Sequence, residues 1–139
     1  MFVDRSIDPT ADQVRALRDV PDERPVTMVN LLKFRVQARY EDGDEAPCTG
    51  REAYARYKKA FTVTVGAVSQ AQVVFQGPVQ QVFIGVAGQP DTDWDEVLVV
   101  RYPSRRHFLA MMADATYREA LRHRYAGLER TVLLQCLAD

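Results

Sequence analysis

Arg124 is the residue that most constrains the chemistry open to this chain. Taking about 100° per residue from Tyr117 onward, Tyr117, Ala120, Leu121, Arg124 and Leu128 share one helical face, which sets a guanidinium inside an apolar stripe. Stranding a buried charge without its partner costs about 3 to 5 kcal/mol, so Arg124 needs an acceptor. The structural answer is an internal carboxylate or a strand-end carbonyl; the functional answer is an anionic ligand held in a cleft. His123 lies at the edge of that face. Its ordinary pKa is near neutrality, which makes it the candidate catalytic acid or base, whereas His107 falls in an Arg-rich turn.

Three further polar residues interrupt apolar runs. In PVTMVNLLKF, alternation puts Asn30 on a face with Met28, Leu32 and Phe34, and Lys33 on the other face with Val29 and Leu31. Arg101 shares a face with Val97 and Val99. As ligand-binding residues in a cleft between sheet and helices, Asn30 would orient a carbonyl and Lys33 would neutralise a carboxylate. The plainer alternatives are a satisfied core amide and a lysine stem that snorkels to solvent. Tyr54 and Tyr57 fall on the inward stripe of a helix, a spacing that serves core packing with hydroxyls reaching the rim. Trp94 and the Met111-Met112 pair read as packing residues.

Other chemistries find little support. No nucleophile, base and orienting acid can be assembled. GVAG at 85–88 lacks the spacing of a P-loop or a dinucleotide fingerprint. Cys48 and Cys136 have no C-x-x-C spacing and no histidine at a metal-ligand interval, so no metal site and no cofactor is expected. Two thiols are the first expectation for them and a mutual disulfide the second. A haem would need an axial ligand in an apolar pocket, for which His123 beside Arg124 is poorly suited.

Several elements must position these residues. TADQVRALRDV reads as a short leading helix with Thr10 as N-cap and Pro21 as stop. Pro25 to Phe34 reads as a strand buried on both faces, and Arg35 to Thr49 as a solvated loop. Apolar residues at Ala53, Tyr54, Tyr57, Phe61, Val65 and Val68 predict a helix of about five turns from Gly50 to Val68. Gln72 to Ala87 reads as one bent strand or two short ones with a bulge or turn at Gly77-Pro78, and Trp94 to Tyr102 as a clear strand. Ser104 to Gly127 is helical, with Asp114 as an internal cap dividing it in two, and Glu129 to Leu137 closes as a strand.

The order after the leading helix is β-α-β-β-α-β. That is the α+β, ferredoxin-like plan of a four-stranded antiparallel sheet with helices on one face. VTMVNLL, VLVV and TVLLQCL are apolar on both sides, so the second sheet face needs a cover, and a second copy of the same sheet is the economical one.

With 139 residues and 47% hydrophobic content, the chain is expected to form a single domain over 1–139. Its formal net charge of -1 lacks the electrostatic footprint of a nucleic-acid or anionic-membrane binder. Of eighteen basic residues three are lysines, leaving fifteen arginines, an excess that codon bias or ligand chemistry would each produce. No stretch reaches the roughly 18 apolar residues of a membrane span and the first residues carry no signal-peptide pattern, so a cytoplasmic protein is the expectation.

VNLLKFR, TGREAYARY, WDEVLVVRYPSRRHFLAMMAD and TYREALRHRYAGLERTVLL resemble a long-form branch of the domain of unknown function 1330 family, within the dimeric α/β-barrel superfamily. The similarity runs from Val26 to Leu137 and leaves out the leading helix and the loop from Val36 to Pro47. It implies a homodimer with two sheets packed face to face, and no activity.

Three functions compete. The first is a dimeric barrel protein that binds a small organic molecule, an anionic one among the options, in the sheet-helix cleft, with cofactor-independent catalysis as an extension. There His123 would be the acid or base, Arg124 and Lys33 the charge stabilisers, and Asn30, Tyr54 or Tyr57 the orienting groups. The second is a non-catalytic structural or binding dimer. The third, by analogy of fold alone, is an antibiotic-biosynthesis-type monooxygenase or a haem-binding enzyme.

Overall fold

A computed structural model describes residues 6–41, 43, 46–62 and 66–138. Its elements in order are α1 (Ala11–Arg18), β1 (Val26–Phe34), α2 (Gly50–Ala60), α3 (Gly66–Ser69), β2 (Gln72–Pro78), β3 (Glu96–Tyr102), α4 (Arg105–Ala113), α5 (Ala115–Gly127) and β4 (Leu128–Leu137). The strands form one sheet in the order β2-β3-β1-β4, antiparallel throughout. This is the ferredoxin-like α+β arrangement anticipated from the sequence.

Local chemistry sets the helix boundaries. Thr10 and Gln13 form a capping box at the start of α1, and Thr49 and Glu52 form another at the start of α2. Asp114 ends α4 and starts α5, accepting from the backbone N–H of Thr116 and Tyr117, so one residue splits the helical stretch as its position predicts.

Two elements differ from expectation. The helix predicted from Gly50 to Val68 ends as an α-helix at Ala60 and resumes as the single turn of α3; Val65 lies outside the described residues. The strand expected from Gln72 to Ala87 stops at Pro78, and its bulge falls between Val73 and Phe75, ahead of the Gly77-Pro78 pair. Proline cannot donate to the ladder. Downstream, Gly85 (φ +130°) and Gly88 (φ +78°) bend the chain into a long loop. The base of that loop is closed by the Val79 N–H donating to the Asp95 carbonyl at 3.0 Å.

Register assigns every strand residue to a face. Met28, Asn30 and Leu32 of β1, with Glu96, Leu98, Val100 and Tyr102 of β3, face the helices. The buried core joins these strand residues to Tyr54 and Tyr57 of α2, Phe108 and Met111 of α4, and Tyr117 and Ala120 of α5. The opposite face carries Val29, Leu31, Phe75, Val97, Val99, Val132 and Leu134, and among the described residues no helix covers it. Phe75, Val132 and Leu134 are exposed there.

α2 and α5 approach through paired glycines. A Cβ on Gly127 would lie 2.5 Å from the Gly50 carbonyl oxygen, and one on Gly50 would lie 2.6 Å from the Gly127 carbonyl oxygen. The same junction carries two backbone bonds: Arg35 N–H to the Gly127 carbonyl at 2.8 Å and Gly50 N–H to the Arg35 carbonyl at 3.1 Å. The sequence marks Gly127 as a helix stop. Its structural duty is to let the two helices that carry the tyrosines and Arg124 come into backbone contact.

Candidate functional site

The space between helices and sheet holds a cluster of phenols around one guanidinium. Tyr54 and Tyr57, one turn apart on α2, pack as a tilted pair at 5.1 Å between ring centroids, and the Tyr57 hydroxyl lies 3.1 Å from that of Tyr117 on α5. Tyr102 donates to the Met111 sulfur at 3.8 Å. Burial holds the phenols of Tyr54, Tyr57 and Tyr102 well above their ordinary pKa, so all three are neutral donors. Arg124 projects into this cluster with 15% of its side chain exposed. Burial pushes its pKa down, and the surrounding Tyr57, Tyr117, Tyr54 and Tyr125 outweigh that effect, leaving a charged guanidinium.

Among the described residues Arg124 makes no hydrogen bond, and the carboxylate facing it is Asp8, whose Oδ1 stands 4.0 Å away. Asp8 instead accepts from the Tyr125 hydroxyl at 2.9 Å; burial, then that bond, raises the Tyr125 pKa to about 12. The 4.0 Å gap is a Coulombic contact and too long for a direct hydrogen bond.

A cavity of about 230 Å³ opens between the end of α2 and the helix side of β2 and β3, lined by Lys58, Lys59, Phe61, Val73, Leu98 and Val100, among others. The Phe61 ring contacts Tyr57 at 6.3 Å, so the cavity wall adjoins the phenol cluster. Beside it Glu96, only 6% exposed, accepts from Lys58 Nζ at 3.0 Å and from Arg51 at 3.2 Å. Sequence reasoning passed over Glu96, although its alternation with Leu98, Val100 and Tyr102 places it on the helix side. Lys58 and Tyr117 were also missed as cleft residues; their helical spacing to Tyr54 and Arg124 was the available signal.

The predicted site residues divide into three groups. Asn30, Tyr54, Tyr57 and Arg124 face the helix side, where the Asn30 amide donates to the Leu98 carbonyl at 3.0 Å. Lys33 and Arg101 lie on the open face. Lys33 donates to Asp93 at 3.1 Å and to Asp95 at 3.4 Å, and the Asp93 bond leads the causes that raise its pKa. Arg101 is exposed and pairs in register with Thr27 and Gln72.

His123 belongs to a third place. Its Nδ1 is 2.7 Å from the Tyr40 hydroxyl, which also accepts from Arg56 at 3.2 Å. Tyr40 lines an outer groove of about 620 Å³ with Arg39, Arg118, Leu121, Arg122 and Tyr125. The neighbours His123 and Arg124 therefore have different partners, as the 100° step between them allows.

Among the described residues no group of three or more His, Cys, Asp or Glu side chains is placed to hold a metal. Cys48 and Cys136 are free thiols. No helix among the described residues is long and apolar enough to cross a membrane.

Fold and cleft together define a ferredoxin-like α+β protein, and comparison with known proteins makes the class specific. The model of a domain of unknown function (DUF1330) matches residues 45–135, and the chain belongs to that family. The match starts later than the resemblance read from Val26, leaving β1 outside it. A crystal structure of a protein of unknown function from Rhodopseudomonas palustris is 34% identical, with 96% of each chain covered and a TM-score of 0.84. Its methylated form is 37% identical over 96% of this chain and 94% of that one, at a TM-score of 0.82. A dimeric protein of unknown function and ferredoxin-like fold from Bacteroides fragilis shares the fold at 12% identity, covering 82% of this chain and 96% of that one, with a TM-score of 0.53. No curated protein matches the chain.

Proposed function

We propose that this protein binds a small organic anion between its sheet and its helices, and that it does so as a homodimer. The observation that carries the reading is Arg124, a half-buried guanidinium with no hydrogen bond among the described residues and its facing carboxylate 4.0 Å away. A ligand carboxylate seated there would accept from the guanidinium and from the Tyr57 and Tyr117 hydroxyls, replacing a loose Coulombic contact with charge-assisted hydrogen bonds. The adjoining cavity of about 230 Å³ falls below the ~300 Å³ at which small-molecule pockets usually begin, which suits a ligand of few heavy atoms. Glu96 and Lys58 at its edge would orient a hydroxyl or amine on the same molecule, and Asn30 holds the carbonyl of Leu98, a lining residue.

The test is a thermal-shift screen of small carboxylates such as benzoate, each paired with its uncharged amide. The account expects Tm to rise with the carboxylate and not with the amide. Equal shifts from both members of a pair, or none, would remove the anion from the proposal.

The homodimer is supported by the apolar open face of the sheet, and the Bacteroides fragilis protein of the same fold is described as dimeric. Sedimentation at micromolar concentration is expected to give twice the 15.8 kDa of one chain.

A second reading is carried by the Tyr40–His123 contact of 2.7 Å, a phenol–imidazole pair that could relay a proton into the outer groove. It assigns His123 the acid–base role. It predicts turnover that is lost in both His123→Gln and Tyr40→Phe and retained in Arg124→Met.

A further inference from the structure

The loop between β2 and β3 exposes an apolar tip that the core does not use. Phe83 is 85% exposed, Ile84 89% and Val86 67%, and none of the three belongs to the buried core. The tip is nonetheless held in shape by its own bonds: the Thr92 hydroxyl donates to the Val86 carbonyl at 2.6 Å and the Thr92 N–H to the Gln89 carbonyl at 3.0 Å. Ordering three large apolar side chains in water is unfavourable unless something covers them.

The base of the loop is tied to the rim of the open sheet face. Arg130 and Lys33 pair across β4 and β1 on that face. The Arg130 guanidinium donates to the carbonyls of Pro90 and Asp93, both at 2.6 Å, and stacks over Trp94 at 4.3 Å. Lys33 holds Asp93 and Asp95. The base of the loop that carries the apolar tip is thus anchored at the rim of the open face.

Area identifies the cover. A sheet four strands wide at about 4.8 Å and seven residues long at about 3.3 Å has a footprint on the order of 440 Å². A standard interface buries roughly 800 Å² of accessible surface per partner, against which the flat outline of the sheet face is small. Phe83, Ile84 and Val86 would supply on the order of 400 Å² more, which brings the total to the required size.

We infer that residues 79–90 form an arm that packs its Phe83-Ile84 tip against a second copy of this chain, extending a sheet-to-sheet contact into a stable dimer. The inference rests on the homodimer proposed above. In a two-fold dimer each arm is used twice, so each substitution at the tip counts twice at the interface.

The test compares wild type, Phe83→Asp/Ile84→Asp, and the control Val36→Asp, which alters an equally exposed valine in another loop. Analytical ultracentrifugation over a dilution series is expected to show self-association weakened at least about 100-fold in the arm variant and unchanged in the control. Circular dichroism should match wild type for both, since the tip lies outside the core. Hydrogen exchange at residues 82–87 of the wild type should slow as concentration rises through the dissociation constant. A wild-type dimer with unchanged self-association in the arm variant, or with concentration-independent exchange at 82–87, overturns the arm and leaves the sheet-to-sheet dimer standing. A wild type that sediments as one chain throughout overturns both.

Discussion

Lys33 and Arg124 both interrupt apolar patterns, and the protein treats them in opposite ways. Lys33 sits at the end of a strand, on the open face, where the β2–β3 loop brings Asp93 and Asp95 within 3.4 Å. Its charge is matched by the chain itself. Arg124 sits in the last turn of α5 among phenols, and the carboxylate facing it stops at 4.0 Å. The two positions look alike in the sequence because periodicity reports which face a residue occupies and nothing about what faces it. A loop that returns to the same strand end closes the first ion pair; only a small gap separates Asp8 from closing the second.

The largest expected effect tests the support beneath the Arg124 side. Gly127→Ala drives a Cβ to within 2.5 Å of the Gly50 carbonyl oxygen, where no flexible side chain can yield. Backbone overpacking of this kind costs about 3 kcal/mol, read as a fall in the denaturant midpoint, and should separate Tyr57 from Tyr117. If stability and the tyrosine near-ultraviolet signal are both unchanged, the glycine contact does not position the cluster.

The next tests address the two cations directly. Lys33→Met takes the shared cation from Asp93 and Asp95, leaving Asp93 with Arg130 at 3.6 Å, and should cost about 1 kcal/mol, since the pairs are partly exposed. Arg124→Met removes a buried charge that has no hydrogen bond to lose among the described residues. Its stability should stay within about 1 kcal/mol of wild type or rise, because replacing a poorly paired buried ion with an apolar side chain is often neutral or better. A loss of about 3 kcal/mol or more at Arg124 would mean that Asp8 already satisfies it and that the contrast with Lys33 is false.

A smaller and more gradual effect comes from pH. Tyr125 titrates near 12 in the folded protein against about 10 in the unfolded chain, and Tyr54, Tyr57 and Tyr102 are also raised. Above pH 10 the unfolded chain loses protons that the folded one keeps, so stability present below pH 10 declines as pH rises toward 12. Tyrosinate absorbance should therefore appear together with unfolding. Appearance of the Tyr54, Tyr57, Tyr102 and Tyr125 tyrosinates near pH 10 with the fold intact would show these phenols open to solvent.

Element type and order could be read from the residues because capping and periodicity are local: Thr10, Thr49 and Asp114 each mark a helix start by bonding the backbone three residues or fewer away. The open sheet face was readable for the same reason. The segment after Pro78 was misjudged because Val82, Phe83, Ile84 and Val86 have strand composition, while the glycines and the proline that break the ladder act through backbone geometry. The cleft could be read only in part. Arg124, Tyr54, Tyr57 and Asn30 share one side of the sheet as alternation and helical stepping indicate. The pairing of His123 with Tyr40 depends on a loop with no periodicity to announce it.

The central claim is that Arg124 awaits an anion, and calorimetric titration of benzoate into wild type and Arg124→Met tests it most directly. The account predicts saturable binding to the wild type, at least about 10-fold weaker binding to the variant, and no measurable binding of benzamide to either, as expected when a charge-assisted bidentate contact carries the affinity. Equal affinity of benzoate for both proteins would contradict it.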